Sequence, residues 1–401
     1  MSEYREFGYR CLGPLLLGFS QWLEHNVRKE SINKIYFFSR DGFIMKKAFD
    51  ALSHDNNIKT FYLEVSRRSL RVPILWKDFS FDNLLTMLGP SKLITLRSIF
   101  DAVGLNISEY SGLISKYGFN ESSFFYRNSI KEESSLMKMY DELSTVIKNN
   151  SLKEFSNLKK YIKKNELYGK FAIVDIGWSG GMQRFLETTL KEMDIEAQIF
   201  GYYTGIADYF KRNNSGGKEV NLNGYLFDFS HHPNDDDVRS CFVGLYEMLF
   251  LETKGSVMKY VPENGDIKAL RFDYEYFVDG HLLHEVEKIK EVQDGALDYI
   301  NDNKGVETRK IDAKILCREL IKAGQRPSSH LVQLFADFRF FDEGEYSFLA
   351  RPKSLFYYML HPRMMKEDFL KSRWKTAFLK RLFLVPAPYY ALYKFVKRHA
   401  S

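Results

Sequence analysis

Short, continuous apolar runs alternate along this chain with longer stretches of helical periodicity. The runs are Ile35 to Phe38, Thr60 to Val65, Phe171 to Val174, Ala197 to Tyr203 and Gly224 to Phe227. Runs this short and this apolar suit parallel strands covered on both faces. Phe43 to Leu52 follows the first run with helical spacing, and Met182 to Met193 follows the third. Residues 8–30 read as an amphipathic helix. Strand, loop, helix, strand is the βαβ unit, so the spacing predicts an α/β fold on a mostly parallel sheet.

From about Phe81 to Lys164 the pattern turns helical and polar, with Leu84, Leu85, Leu88, Leu93 and Ile99 at helical spacing. Pro73, Gly89-Pro90 and the loops Asn213 to Gly217 and His231 to Asp237 mark breaks. The expected organisation is an α/β core over 1–80 and 165–260 and a helical insertion over 81–164. A helical C-terminal region over 261–369 and a basic amphipathic tail over 370–401 complete it. At 401 residues the chain can bury a large core without staples.

Charge changes this picture only at the end. No acidic residue follows Asp368, while eight Lys or Arg lie between Lys371 and Arg398, interleaved with bulky apolar residues. That composition suits an anionic membrane surface; the other reading is a helix pair packed on the body with its basic residues solvated. The patch is too apolar for nucleic acid, and no nucleic-acid motif accompanies it. Three scattered cysteines, Cys11, Cys241 and Cys317, suggest neither a disulfide framework nor a zinc knuckle. The N-terminus lacks the pattern of a secretory signal. The expectation is a cytoplasmic protein peripheral at the inner face of the membrane.

Three apolar runs end in polar loops: Ser39-Arg40-Asp41-Gly42, Ser66-Arg67-Arg68-Ser69, and Asp175-Ile176-Gly177-Trp178-Ser179-Gly180-Gly181. Ligands of open parallel sheets bind outside the carboxyl ends of the strands. If the three loops converge, they bring together the cations Arg40, Arg67 and Arg68 and the acids Asp41 and Asp175. Gly177, Gly180 and Gly181 let backbone approach a ligand, and the helix starting near Met182 offers unpaired N–H groups to a phosphate. The alternative for the glycines is a tight strand-to-helix turn. On a strand, adjacent Arg67 and Arg68 would point to opposite faces, so one of them reaches the site. Phosphatase chemistry of the haloacid-dehalogenase kind needs two acids two residues apart, and Ser39 and Phe43 occupy the positions flanking Asp41. His231, His232 and Asp235 to Asp237 read as a solvated loop before a metal cluster. Glu247 and Glu252 are each candidates for a general base.

The segments Gly8 to Phe19, Ile35 to Lys47, Ser66 to Pro73 and Val174 to Gln183 together resemble a bacterial surface-polysaccharide biosynthesis family. Its longer members carry a haloacid-dehalogenase-type phosphatase domain ahead of this region, and the expectation is that this domain is absent here and supplied separately. The loops also resemble those of phosphoribosyltransferases. Ser39 to Gly42 is similar to their short pyrophosphate loop, and Val174 to Gly181 to the loop that grips phosphoribosyl pyrophosphate. The resemblance implies a phosphoribosyltransferase-like sheet and a transferase of O-antigen or capsule assembly. That enzyme would move a 5-phosphoribosyl group from phosphoribosyl pyrophosphate to a lipid-linked glycan acceptor. Asp41, Asp175 and Glu247 become the catalytic candidates, with Asp41 and Asp175 also holding Mg²⁺. Ser39, Arg40, Gly42, Arg67, Arg68, Gly177, Trp178, Ser179, Gly180, Gly181 and Met182 become the donor phosphate ligands. Two departures stand out: the family's second adjacent acid is Ile176 here, and the stretch between Asp41 and Asp175 is long. A nucleotide-sugar glycosyltransferase and a non-catalytic assembly scaffold are the alternative functions.

Overall fold

Alternation of side chains along Ile35-Tyr36-Phe37-Phe38 divides the molecule into its layers. The computed structural model describes residues 1–53, 55–88, 93–213, 220–342 and 345–399. The expected break at Gly89-Pro90 and most of the loop before Gly217 lie outside them. Ile35 and Phe37 face one apolar core, Tyr36 and Phe38 the other, and all four are fully buried. Successive strand residues point to opposite faces, so a strand apolar at every position must be covered twice. Five strands build the sheet, the central ones largely buried and the edge strand β2 buried only at Leu63: β1 (Lys34–Phe38), β2 (Lys59–Leu63), β3 (Gly169–Trp178), β4 (Ala197–Ile206) and β5 (Leu222–Asp228). They form one wholly parallel sheet in the order β2-β1-β3-β4-β5.

The first face is covered by α1 (Gly13–Lys29) and α2 (Gly42–Leu52), which bring Leu15, Leu16 and Phe19 and Ile44, Met45 and Phe49 against β1 and β3. The second is covered by α3 (Ser134–Lys164), α4 (Gly181–Lys191) and the hairpin of β6 (Val257–Glu263) and β7 (Asp266–Arg271). The crossover after β1 therefore runs over one face and the crossover after β3 over the other. In a sheet of this order the chain diverges between β1 and β3, which opens a crevice at their carboxyl ends. Phe37 stands in register with Val174. The polar segments after β1 and β3 thus leave the sheet side by side.

A separate core, from Val72 to Ile147, builds the subdomain between β2 and β3. It is mostly helical, but Leu93–Thr95 and Phe124–Tyr126 pair as a short antiparallel ribbon. Here Ile94 and Phe125 face the core and their neighbours face water, a period of two that the helical spacing of the surrounding leucines hid. The C-terminal region packs helix α5 (His284–Asp302) on the first face. It also carries small antiparallel ribbons, among them β8 (Arg339–Asp342) with β9 (Glu345–Phe348). Helices α6 (Lys375–Phe383) and α7 (Tyr389–His399) end the described chain.

Candidate functional site

The strand that carries Asp175 is longer than its apolar run suggests. β3 stays paired with β4 through Gly177↔Gly205 and Trp178↔Ile206. The turn proper is therefore only Ser179 and Gly180, and the expected loop over Asp175 to Gly181 is corrected accordingly. Two residues let the strand end this way. Gly177 has φ 111°, and a Cβ there would lie 2.4 Å from the Gly205 carbonyl oxygen. Gly180 has φ 67° and forms the start of α4 with no side-chain cap. A left-handed backbone suits glycine, and the uncapped first turn leaves its N–H groups for a ligand. Trp178 shares the left-handed region at φ 109°. Its ring holds it there: Nε1 donates to Glu247 Oε1 at 2.9 Å, and the Arg239 guanidinium stacks 3.4 Å from the ring centroid.

A broad cleft of about 1990 Å³ lies over these strand ends. Ser39, Arg40, Asp41, Arg67, Arg68, Asp175, Gly177 to Met182 and Glu247 all line it. Gly42 does not. It is buried at the start of α2, where a Cβ would sit 3.0 Å from Phe37, so its smallness serves packing. The Ser39 hydroxyl is engaged with Val65, donating to its carbonyl at 2.7 Å and accepting from its N–H at 3.1 Å, which ties the ends of β1 and β2 together. Arg40 is ion-paired with Glu275 from the C-terminal region, and the peptide bond before it is cis.

Ser66 to Ser69 is a helix start rather than a loop. The Ser66 hydroxyl accepts from Ser69 N–H at 3.0 Å, and the Ser69 hydroxyl accepts from Ser66 N–H at 2.9 Å. This capping box fixes the two arginines on a helix, so their divergence follows helical rather than strand geometry. Arg68 forms a fork with the buried Glu154, at 3.1 and 3.0 Å. Arg67 is exposed to the cleft and faces Asp175 and Asp41.

Burial holds the Asp41 carboxyl well above the usual carboxylate range, and neighbouring Asp175 raises it further, against Arg40 and Arg67. Burial likewise pushes Asp175 up to about 7, with Glu247 adding to the rise and the Ile176 N–H and Arg67 opposing it. Asp175 Oδ1 is buried without a hydrogen-bond partner. Glu247 is also raised by burial, against the Trp178 N–H and Arg239. Three acids that resist ionisation, beside a glycine turn and an arginine, make a place where cation and phosphate together would relieve the field. The other candidate base, Glu252, is fully engaged elsewhere: it accepts from Tyr62 at 2.5 Å and pairs with Arg271 at 2.9 Å.

Sequence reasoning missed Arg184. It lies in the first turn of α4, lines the cleft, and has its pKa lowered by burial. A cation at a helix N-terminus opposes the helix dipole, and that misplacement was the available signal. Arg239 and Glu275 gave none, because only folding brings them to Trp178 and Arg40. Asp235 and Asp237, from the His231 to Asp237 loop, meet Lys314 and Arg239, and Asp228 accepts from His231 Nδ1 at 2.9 Å. Among the described residues no group of three or more His, Cys, Asp or Glu is arranged to hold a metal. No protein-family model matches the chain, and no curated protein matches it.

Proposed function

We propose that this protein transfers a 5-phosphoribosyl group from phosphoribosyl pyrophosphate to a hydroxyl of a lipid-linked glycan, in the assembly of a cell-surface polysaccharide. The observation that carries this reading is the juxtaposition of Asp41 and Asp175, at adjacent strand ends, with the glycine turn that opens α4. Gly177 to Met182 would take the 5-phosphate on backbone N–H groups, and Arg67 the diphosphate. Asp175 would accept from the ribose hydroxyls. The acid that the phosphoribosyltransferase loop carries beside it is here Ile176, which is buried; Asp41 stands in for it from the neighbouring strand.

Mg²⁺ fits the site chemically. The orphaned Asp175 oxygen and the raised acid pair are hard oxygen donors short of positive charge, and Asp41 and Asp175 are the residues that would hold the ion. When bound, it would neutralise the diphosphate leaving group. In the transfer, the acceptor oxygen bonds to the anomeric carbon as the carbon–oxygen bond to pyrophosphate breaks, and pyrophosphate departs with the electron pair. Glu247 takes the acceptor's proton, for which a raised pKa suits it. Arg67 stabilises charge growing on the leaving group.

The test is to incubate the purified chain with Mg²⁺, labelled phosphoribosyl pyrophosphate and lipid-linked glycans extracted from a polysaccharide-producing bacterium. Pyrophosphate release coupled to label in the lipid fraction is expected, and is expected to vanish in Asp41→Asn. Release of a nucleoside diphosphate from a nucleotide sugar, with phosphoribosyl pyrophosphate left intact, overturns the proposal.

A further inference from the structure

The last two helices join the two readings of the C-terminal tail. One side of α7 packs on the body: Tyr389 and Tyr393 are buried, Tyr393 donates to Ser240 O at 3.0 Å, and Lys394 pairs with Asp236 at 2.9 Å. Its other side carries Leu392, Phe395 and Val396, which are exposed by 46, 60 and 43 %. The spacing i, i+3, i+4 places these three in one stripe. Just before the helix, Leu384 and Val385 are exposed by 83 and 55 %. This is a packed helix with a second apolar face turned outward, and an isolated apolar residue is ordinary where such a ridge is not.

Leu384 is the most telling residue. It ends α6 in the left-handed conformation, φ 56° and ψ 14°. Local physics favours Gly or Asn at such a position, because a Cβ is strained there. Exposed apolar surface adds a second penalty in water. Nothing local to the folded chain rewards a leucine here, so its benefit must come from what covers it.

Charge selects the occupant. Lys397 and Arg398 are exposed beside the ridge, and no Asp or Glu follows Asp368. A second copy of the chain would bring like charges together, whereas an anionic bilayer supplies both acyl chains and the opposite charge. The tail's cations are fewer than its sequence suggests. Arg373, Arg381 and Lys394 are paired with Asp342, Asp337 and Asp236, Lys397 acts on Asp237, and Lys375 is half-buried among backbone carbonyls. Attraction by charge is therefore modest, and the apolar ridge must supply the hold. Among the described residues no helix is long and apolar enough to cross a membrane. We infer that the ridge from Leu384 to Val396 seats the protein in the interface of an anionic bilayer, with α7 lying in the membrane plane.

This inference does not depend on the chemistry of the cleft and is tested without it. The full chain is floated with vesicles of phosphatidylglycerol and phosphatidylcholine, and with vesicles of phosphatidylcholine alone. Leu384→Asn combined with Phe395→Ser is compared with the parent in the same assay and by thermal melting. The expected result is retention on the anionic vesicles, weaker on the neutral ones. The variant should lose about tenfold or more in partitioning with a melting temperature unchanged or raised, since Asn suits the left-handed position. Equal partitioning of parent and variant overturns the inference, as does absence of the parent from anionic vesicles. A parent that dimerises without lipid, in a variant-sensitive way, also overturns it by making the ridge a contact between copies.

Discussion

Replacing Asp175 by Asn tests the electrostatics of the cleft through stability, with no substrate needed. In the folded protein burial holds this carboxyl at about 7; in the unfolded chain it titrates near ~3.9. The folded state therefore holds the proton more tightly. Below the unfolded value both states are protonated and the residue adds nothing. As pH rises from there to the folded value, the unfolded state ionises first, and stability falls by about 1.4 kcal/mol per pH unit. Above about 7 the penalty is complete, at roughly 4 kcal/mol. Asn cannot ionise and keeps the shape, including an oxygen for the Ile176 N–H. With divalent cations chelated, urea unfolding of D175N should match the parent near the unfolded carboxylate range. In mildly alkaline buffer it should exceed the parent by about 2–4 kcal/mol. Asp41 and Glu247 share the same field, so removing one charge also eases their ionisation. A difference between variant and parent that does not change with pH would refute the buried-acid reasoning, and a parent that gains on the variant as pH rises would reverse its sign.

The two adjacent arginines should separate cleanly. Arg67→Ala breaks no ion pair among the described residues, and below neutral pH, where the buried Asp41 and Asp175 that it offsets hold their protons, melting is expected to stay within about 0.5 kcal/mol of the parent while calorimetric binding of Mg²⁺–phosphoribosyl pyrophosphate weakens at least tenfold. Arg68→Ala strands Glu154, which is only 4 % exposed, and should cost about 3–5 kcal/mol in urea unfolding. Gly177→Ala forces a Cβ to 2.4 Å from the Gly205 carbonyl at φ 111°. A loss of more than about 2 kcal/mol is expected, and an unchanged melt would mean that the strand end is not built as described. Glu252→Gln breaks the pairing with Arg271 at a residue that does not itself line the cleft. It should lower stability and leave ligand affinity alone.

Much of this architecture could be read from local pattern, and the failures share a cause. The strands before Ser39 and Asp175 announced themselves because a parallel strand covered on both faces must be apolar at every position. The layer of antiparallel ribbons did not. Leu93 to Thr95 and Arg339 to Asp342 are only three and four residues long and partly exposed, so their period of two is shorter than the window needed to see it; β6 and β7 are longer, but their exposed edges carry Lys, Asp and Glu that mask the alternation. Site residues followed the same division. Acids and glycines at strand ends could be found, since the sheet's topology dictates where strand ends go. Which arginine is left open to the cleft could not, because the Arg68 guanidinium is engaged by Glu154, 86 residues along the chain.

On the proposed function, the same division accounts for Ile176, where the resembled loop carries a second acid. Judged along the chain, Ile176 is a missing acid beside Asp175. In the folded sheet, Val174 stands beside Phe37 and the chain past β1 returns Asp41 to the same crevice. A pair of carboxylates drawn from two strands is less local than a pair from one, and it has a physical consequence. Two adjacent residues on one extended segment point to opposite faces, so a second acid at 176 would turn toward the core in which Ile176 is packed. An acid on the neighbouring strand end can face the same ligand without that conflict. If this is why the pair is split, Ile176→Asp should not improve binding of a magnesium diphosphate ligand. It should instead bury an unpaired charge at a cost of about 3 kcal/mol or more. Tighter binding with an intact fold would show that the strand end can turn its residues as the turn demands, and would return the second acid to the position beside Asp175.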